Sequence, residues 1–413
     1  MLHPDLLDQA RGFSDSIVAL RRAIHAEPEL GLQTPKTRDK VRAALAHLPL
    51  TWREGPSTSG AVATLKGGKG AGAGSGNGQL RRVLLRGDMD ALPMEEETGL
   101  SFASTVRGAM HACGHDTHTA MLAGAAELLC ARADQLAGEV QFMFQPGEEG
   151  FHGARCMLED GLLGGTEDFP LPDAAFALHI MPNSPHGMIA GRSGALLASA
   201  DQFDIVVEGR GGHGAMPHDA LDPVPVACEI VSALQAMVTR KFNVADPVVV
   251  TVAQINAGTA HNVIADRATL RGTIRTLSPM ARTRIGSEIE RVATLIAAAH
   301  DMVAKVAITP GFPVTLCDPR AVALGEAVAR DLVGEAALHR LAAPIMGAED
   351  FSYVLEKVPG AMFFLGVAHE GVDWKHCCSI HSTRMVVDES VLPLGTALLA
   401  GCAERFLAEG FVN

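Results

Sequence analysis

The residue types best suited to chemistry are concentrated between positions 111 and 118, which read HACGHDTH. This short stretch contains three imidazoles, a thiol and a carboxylate. Cysteine and histidine are ligands that divalent transition metals prefer, and the spacing of Cys113 and His115 lets both side chains reach one ion from a turn. The stretch therefore predicts a metal site. The alternative interpretation is a buried cysteine beside solvated histidines. The sequence has no HExxH motif, so the other ligands must come from distant segments.

Further acids and another imidazole follow three apolar runs typical of strands. The runs and the polar residues after them are Val83–Arg86 with Asp88 and Asp90, Val140–Phe144 with Glu148 and Glu149, and Ala174–Leu178 with His179. Ligands of open α/β sheets bind outside the carboxyl ends of the strands, so these side chains can meet at one edge. Neighbouring glutamates project differently, so one can bind metal while the other transfers protons. A solvated acidic turn would explain any one of these segments, but not all of them together.

The elements that must position these residues alternate in the first half of the chain. Helical patterns at about 4–25, 35–47 and 117–132 are interleaved with the apolar runs, which is typical of an α/β sheet covered by helices. Residues 66–78 read KGGKGAGAGSGNG. This segment is not a phosphate-binding loop, because its Gly-Lys pair is followed by Gly70 rather than Ser or Thr. Its composition favours a flexible surface hairpin.

The middle of the chain has a different pattern, β-α-β-β-α-β, which is that of a ferredoxin-like unit. Its predicted elements are strand Phe203–Val207, helix 222–239, strands Val248–Gln254 and Ala268–Thr276, helix 279–299 and strand Val303–Ile308. Alternation resumes after Pro310, with a strand at Ala361–Leu365 and a helix at 388–408. We therefore expect one α/β domain, residues 1–194 and 309–413, interrupted by a smaller α+β domain at 195–308.

Composition excludes several classes of partner. A length of 413 residues predicts two domains. The net charge of −13 would repel phosphate backbones, and 4% aromatic residues are too few for a base-stacking platform. We see neither an apolar run suited to a membrane span nor a signal peptide at the N-terminus. The eight scattered cysteines indicate a reducing compartment. The expectation is a cytoplasmic protein that binds small molecules, not nucleic acid or membranes.

Six blocks of the sequence together resemble the M20 family of metallo-amidohydrolases. The blocks are RGDMDALPMEEETG, HACGHDTHTAMLAGAAELL, FMFQPGEEGFHGARCML, GGHGAMPH, INAGTAHNVIADRATLRGTIRTL and GAEDFSYV. The closer similarity is to hippurate hydrolases, N-acyl-amino-acid amidohydrolases and indole-acetyl-amino-acid hydrolases. The resemblance covers nearly the whole chain. It implies a zinc-exopeptidase-like α/β catalytic domain with an inserted ferredoxin-like lid and dimerisation domain, and hence a homodimer or a dimer-based oligomer.

The resemblance also implies a site with two divalent metal ions, with zinc or manganese favoured and cobalt or nickel possible. Cys113 would bridge the ions, His115 and His179 would complete one site, and Glu149 and His381 the other. Glu148 would be the general base. Asp88, Asp90 and Asp116 would orient these ligands through hydrogen bonds. The adjacent Cys377 and Cys378 depart from the family pattern and leave room for a competing sulfur ligand or a redox-sensitive rim.

The predicted insert contains a further group of candidate residues. Residues 209–214 match GxGxxG, but the next strand does not end in an acid placed for a ribose, so a dinucleotide site is disfavoured. The resemblance implies that His213 stabilises an oxyanion, in the active site of a dimer partner. It implies that Asn262 and Arg275 hold the substrate carboxylate. Arg271 on the same strand is interpreted as a surface charge.

The remaining histidines receive simpler interpretations. His111 and His118 are expected near the metal ligands without binding metal. Solvated positions are expected for His3, His25, His47, His300 and His339.

These observations favour a metal-dependent enzyme that hydrolyses the amide bond of N-acyl-amino acids, with hippurate-like substrates preferred. Within the same family, N-acetyl-diaminopimelate deacetylation and dipeptide hydrolysis remain alternatives. A non-catalytic ligand-binding relative is a more distant one, because a binding protein needs no general base beside its ligands. An NAD-dependent oxidoreductase that uses the glycine-rich turn is the most distant.

Overall fold

The computed structural model describes residues 5–69, 80–165, 169–376 and 378–411. The helices of these ranges, α1 to α10, are Leu6–Gly12, Ser14–His25, Pro35–Ala44, His115–Cys130, Gly153–Glu159, Pro223–Lys241, Pro279–Ala299, Pro319–Val333, Ser352–Leu355 and Leu392–Glu409. The strands, β1 to β16, are Thr51–Glu54, Ala61–Lys66, Arg81–Asp88, Gly138–Gln145, Ala174–Met181, Ile189–Gly191, Gly194–Leu197, Ala200–Glu208, Gly212–His213, Val248–Ala257, Val263–Ile264, Arg267–Thr276, Val303–Phe312, Thr315–Cys317, Leu338–Arg340 and Gly360–Gly366. Most of the hairpin expected at 66–78 lies outside the described residues.

The chain divides into two compact units. The first comprises Met1–Leu196, Leu316–Ala343 and Asp350–Asn413, and the second comprises Leu197–Thr315 and Pro344–Glu349. The second unit extends beyond the predicted limits of 195–308 because β13 continues to Phe312, which pairs with Ala200 of β8. Residues 344–349 join this unit because the amide of Ala198 donates to the carbonyls of Ile345 and Gly347.

The first unit is built on an eight-stranded sheet in the order β1-β2-β4-β3-β5-β16-β6-β15. Strands β4, β3, β5 and β16 are mutually parallel, and their residues are almost all buried. Burial on both faces explains why the sequence reads as continuous apolar runs rather than alternating patterns. Because β3, β4 and β5 are parallel, their carboxyl ends, with Asp88, Gln145 and His179, lie at the same edge of the sheet.

Two apolar helices form part of the core of this unit. Helix α4 is buried on nearly every side, as expected of a helix without a polar face, and it packs against α2 and α10. Among the described residues, one helical stretch, Glu389–Glu409, is long and apolar enough to cross a membrane. However, 83% of its most apolar window is buried within the fold. Its burial is that of a core helix.

The second unit is an antiparallel four-stranded sheet, in the order β10-β12-β8-β13, with α6 and α7 packed on it. Burial alternates along β12: Ala268, Leu270 and Ile274 are buried, whereas Arg271 is exposed. This period of two is that of a sheet with one covered face. A separate ribbon pairs β9 with β11. The topology is that of the expected ferredoxin-like unit.

Polar residues followed by proline determine where three of the long helices begin. The side chains of Asp222, Ser278 and Asp318 accept hydrogen bonds from backbone amides of the first turns of α6, α7 and α8. A proline follows each of them as the first helical residue. These are favourable residues for the cap and first position of a helix, which is why α6 and α7 begin close to their predicted positions.

Candidate metal centre

The residues predicted to bind metal lie in the first unit and form two groups that share one thiol. The ligand atoms of Cys113, His115 and His179 all lie within 4.8 Å of one another, and so do those of Cys113, Glu149 and His381. Cys113 Sγ is 3.4 Å from His179 Nε2, and Glu149 Oε1 is 3.3 Å from His381 Nε2. The structure thus brings together five side chains from four separate segments of the sequence.

Local structure explains how these side chains reach the same place. Cys113 precedes α4, whose cap residue Gly114 has φ 82°, and His115 is the first helical residue. His179 is part of β5, and Glu149 follows the end of β4. His381 comes from a loop near the C-terminus, where its amide donates to the carbonyl of Ala112 at 2.7 Å.

Backbone contacts orient the two buried ligand histidines. His115 Nδ1 lies 2.8 Å from the carbonyl oxygen of Asp90, and His179 Nδ1 lies 2.7 Å from that of Ile180. A carbonyl only accepts hydrogen bonds, so each Nδ1 carries a proton. In a neutral imidazole, Nε2 is then the ring nitrogen whose lone pair can bind a cation.

The set of donors fits a divalent cation. Among the described residues, His115 Nε2 is buried and has no hydrogen-bond partner, which is costly unless another group completes it. Burial raises the pKa of Cys113 to about 12, although His115 acts in the opposite direction. The thiol is thus protonated at neutral pH unless a cation binds it. Thiolate, imidazole and carboxylate together suit zinc and similar ions.

A third histidine beside the ligands uses both of its ring nitrogens in hydrogen bonds. His118 Nε2 accepts a hydrogen bond from the amide of Ile180 at 2.9 Å, so its Nδ1 carries the proton and donates to Asp88 at 2.6 Å. Although Asp88, His115 and His118 are close enough to form another ligand group, His118 has no free lone pair. We therefore assign His118 to the support of the site.

Two of the three aspartates predicted to orient the ligands, Asp88 and Asp90, contact the segments that carry those ligands. The two carboxylate oxygens of Asp90 accept from the amides of Glu148 and Glu149, at 2.9 and 3.1 Å. Asp88 contacts Arg86 at 2.6 Å in addition to His118. Burial alone would raise the pKa of Asp88, but Arg86 and the histidines hold it well below its usual value. Asp88 is therefore an anion beneath the site.

Asp116 belongs to a buried network that sequence reasoning missed. Its Oδ2 lies 2.7 Å from Arg21 Nε and 2.8 Å from His25 Nδ1. The prediction that His25 is solvated is wrong: it is fully buried, because α2 packs on α4 and places its ring between Asp116 and Glu96. Burial acts to lower its pKa, but the two carboxylates outweigh that effect and raise the pKa to about 9.

The other noted histidines vary in their surroundings. His111 is buried and its ring nitrogens have no hydrogen-bond partner among the described residues, and burial lowers its pKa to about 3. His47, His300 and His339 are exposed, as predicted, while His3 and Cys377 lie outside the described residues.

Glu148 lies beside the metal ligands. It is 6% exposed, and its Oε2 is 4.0 Å from His115 Nε2, the same distance as Glu149 Oε1. The two glutamates therefore flank one histidine from adjacent positions, which would let Glu149 bind metal while Glu148 faces a water or substrate.

The other predicted functional residues lie in the second unit. His213 pairs with Val263 on the β9–β11 ribbon, and the carbonyl of Asn262 accepts from the amide of Gly214 at 2.8 Å, so His213 and Asn262 are neighbours. Arg275 lies on the four-stranded sheet instead. Arg271 is exposed and pairs with Asp204 at 2.7 Å, in agreement with a surface charge.

Comparison with known proteins places this fold and site in one family. Residues 84–405 match the model of peptidase family M20/M25/M40, so the chain belongs to that family, and the prediction of an amide-hydrolysing enzyme is confirmed. The α/β fold class with an added ferredoxin-like unit is confirmed as well.

Three relatives illustrate the range of similar proteins. Thermostable carboxypeptidase 1 of Saccharolobus solfataricus is 37% identical over 97% of this chain and 98% of its own length. IAA-amino acid hydrolase ILR1-like 2 of Arabidopsis thaliana is 38% identical over 96% of this chain and 86% of its own. A Bacillus subtilis structure, described as a dinuclear metal-binding peptidase of the M20 family, is 33% identical, with a TM-score of 0.80 over 96% of this chain and 99% of its own.

Proposed function

We propose that the protein hydrolyses the amide bond of N-acyl-amino acids, with hippurate-like substrates favoured, at a site for two divalent metal ions. The observation that carries this proposal is the pair of ligand groups that share Cys113, with Glu148 beside them. A similar chain described as an IAA-amino acid hydrolase supports acyl-amino acids as the substrate class.

The proposed ligands fall into two groups. Cys113, His115 and His179 would hold one ion, and Cys113, Glu149 and His381 would hold the other. When bound, zinc or manganese, or alternatively cobalt or nickel, would polarise the amide carbonyl and acidify a water molecule. Glu148 would take a proton from a water molecule beside these ligands and deliver it to the leaving nitrogen.

The second unit supplies contacts to the substrate in this proposal. Asn262 and Arg275 bind its carboxylate, since a guanidinium matches a carboxylate with two parallel hydrogen bonds. His213 donates to the developing oxyanion in the active site of a dimer partner. This role makes the second unit a lid and a dimerisation platform. The seven described cysteines form no disulfide, which supports a cytoplasmic location.

A second candidate is the hydrolysis of peptides, which the similarity to a carboxypeptidase favours. The two activities share the carboxylate of the substrate and differ in what is attached to its nitrogen. N-acetyl-diaminopimelate, which carries a second amino-acid group, is a further alternative substrate for an enzyme of this family. A non-catalytic binding role is disfavoured because Glu148 would then serve no purpose.

A substrate screen tests the proposal. Purified protein would be loaded in turn with Zn, Mn, Co and Ni, then given N-benzoylglycine, N-acetyl- and indole-acetyl-amino acids, N-acetyl-diaminopimelate and dipeptides. We expect acyl-amino acids with aromatic acyl groups to have the highest kcat/KM. Faster hydrolysis of dipeptides would favour the second candidate, and no hydrolysis with any metal would contradict both.

A further inference from the structure

The turn that carries Glu148 and Glu149 is tightly folded between β4 and α5. The amide of Gly150 donates to the carbonyl of Glu148 at 2.6 Å, and that of Gly153 donates to Gly147 at 3.0 Å. Residues 147, 150 and 152 all have positive φ, of 72°, 85° and 59°. The first two are glycines, which adopt this conformation easily. The third is His152, where a side chain makes the conformation unfavourable.

A side-chain contact accompanies this unfavourable backbone conformation. His152 Nδ1 lies 2.9 Å from the hydroxyl of Tyr353, and the two rings meet at 65° with centroids 5.9 Å apart. Tyr353 belongs to α9, which packs on α5. The hydrogen bond therefore connects the end of the glutamate turn to a helix distant in sequence.

Other contacts hold the middle of the same turn and the residues on either side of it. Asp350, three residues before Tyr353, accepts from the side-chain amide of Gln145 at 2.7 Å and from the backbone amide of Ala154 at 2.9 Å. Asp90 accepts from the amides of both glutamates. His152 lies between the segments that these two aspartates hold, and Tyr353 contacts it through a side chain.

We infer that Tyr353 is a positioning residue that acts through His152 to fix the orientation of Glu148 and Glu149. The inference rests on the proposed roles of these glutamates as base and metal ligand. If the hydroxyl of Tyr353 is lost, the His152 end of the turn can relax from its left-handed conformation. The glutamates would then spend less time at their distances of 4.0 Å from His115 Nε2.

Tyr353→Phe tests the inference because it keeps the ring and removes only the hydroxyl. We expect kcat to fall roughly three- to tenfold, in line with the loss of one net hydrogen bond, while KM stays unchanged. In a chelator competition with Zn²⁺, the ion proposed to bind Cys113, Glu149 and His381 (the second ion) should bind more weakly. The ion proposed to bind Cys113, His115 and His179 (the first ion) should not, because Glu149 is not one of its proposed ligands. The matched control is Thr396→Val, which removes a buried hydroxyl that donates to the carbonyl of Met121 at 3.3 Å.

A second pair of variants separates positioning from general stability. His152→Gly removes the same hydrogen bond, so the turn loses its contact with Tyr353 and kcat should fall as much as in Tyr353→Phe. Because glycine accepts a positive φ without strain, Tm should not fall. Tyr353→Phe should then have no further effect in the His152→Gly protein. A separate loss of the same size in that background would overturn the inference, since Tyr353 would then act by another route.

Two outcomes distinguish this inference from the proposed function. An inactive wild-type protein would contradict the proposed function, whereas the affinity for the second Zn²⁺ ion would still report on the glutamate turn. Wild-type kcat and wild-type affinity for that ion in Tyr353→Phe would overturn the inference alone. If Tyr353→Phe does not fold, the same two measurements on His152→Gly decide, and wild-type values there overturn it.

Discussion

Contacts with backbone carbonyls determine which histidine nitrogens of the candidate metal centre can bind a cation. His115 and His179 each use Nδ1 on a carbonyl, whereas His118 uses both ring nitrogens. This difference separates the potential ligands His115 and His179 from the supporting residue His118, although His118 lies only three positions after His115. Such contacts between a ligand imidazole and a second group fix the tautomer and orientation of the ring.

The central thiol gives the first prediction at the scale of single residues. Cys113→Ser should lower the metal stoichiometry and the activity together, because serine is a poor substitute for a bridging thiolate. Metal content measured by elemental analysis and activity on the best acyl-amino acid would report this. Cys130→Ser and the exposed Cys228→Ser are the controls and should change neither. Two ions bound to Cys113→Ser with wild-type affinity would contradict the bridging role.

The base gives the second prediction. Glu148→Gln keeps the shape of the side chain and removes its basicity, so turnover should fall on the order of a thousandfold or more. Metal content should stay near that of the wild type, because Glu148 is not among the five proposed ligands. Substantial retained turnover with both ions bound would remove Glu148 from this role.

The sequence predicted the candidate ligands but not the residues that hold them in place. Cys113, His115 and Glu149 have residue types and positions, next to a helix start or a strand end, that indicate metal binding. Arg21, His25 and Arg86 do not, since each lies within a helix or strand and resembles an ordinary surface charge in sequence. Their burial depends on which elements pack together, as α2 and α4 do, and no local pattern records that packing.

At the scale of elements, α2 and α4 are joined by charges as well as by apolar contacts. Arg21 and His25 of α2 both contact Asp116 of α4, and His25 also contacts Glu96 at 3.2 Å. Burying charges is costly unless they are paired. Asp116 and Glu96 both contact His25, and Arg21 also contacts Glu389 at 3.0 Å. Protonated His25 therefore offsets part of the negative charge of these carboxylates.

Because of this network, the free energy of unfolding should decrease as the pH rises. The pKa of His25 is about 9 in the folded protein and near 6.5 in an unfolded chain. Because the folded value is the higher one, the contribution of His25 is complete below about pH 6.5. It is lost as the pH rises through 9. The shift corresponds to on the order of 3 kcal/mol.

His25→Gln tests this dependence, because glutamine can form hydrogen bonds but cannot carry the charge. Urea unfolding between pH 6 and pH 10 should show a steeper loss of stability in the wild type than in His25→Gln. The matched control is His47→Gln, an exposed histidine of the same unit, which should retain the wild-type slope. Equal slopes in wild type and His25→Gln would contradict a charged His25.

The sequence patterns predicted the bounds of long elements more closely than those of short ones. The bounds of β3, β4, β5 and α4 differ from the predicted ones by at most a few residues, because strong apolar runs specify these elements. The ribbon formed by β9 and β11 has two residues per strand, too few for any period to appear. It follows from the pairing of His213 with Val263, a contact between residues 50 positions apart in sequence.

At the scale of the whole molecule, the proposed catalytic residues are divided between the two units. The five proposed ligands and Glu148 belong to the first unit, and His213, Asn262 and Arg275 belong to the second. His213 is exposed on its ribbon and has glycines on both sides, which permits a close approach to a ligand. A role for His213 in a partner subunit would make the dimer the smallest active species.

Mixing two inactive variants tests whether His213 acts in the active site of a partner subunit. Loss of one oxyanion donor costs about 3–4 kcal/mol in other hydrolases, so His213→Ala should have little turnover while it keeps both metal ions. Glu148→Gln should be inactive because it lacks the proposed base.

If His213 acts across subunits, a mixed dimer contains one site with both an intact Glu148 and an intact His213. Random exchange of equal amounts should therefore restore about a quarter of the wild-type sites. Exchange would be verified by mass spectrometry of the intact dimers. Mixed dimers without activity would mean that His213 serves its own subunit or takes no part in the reaction.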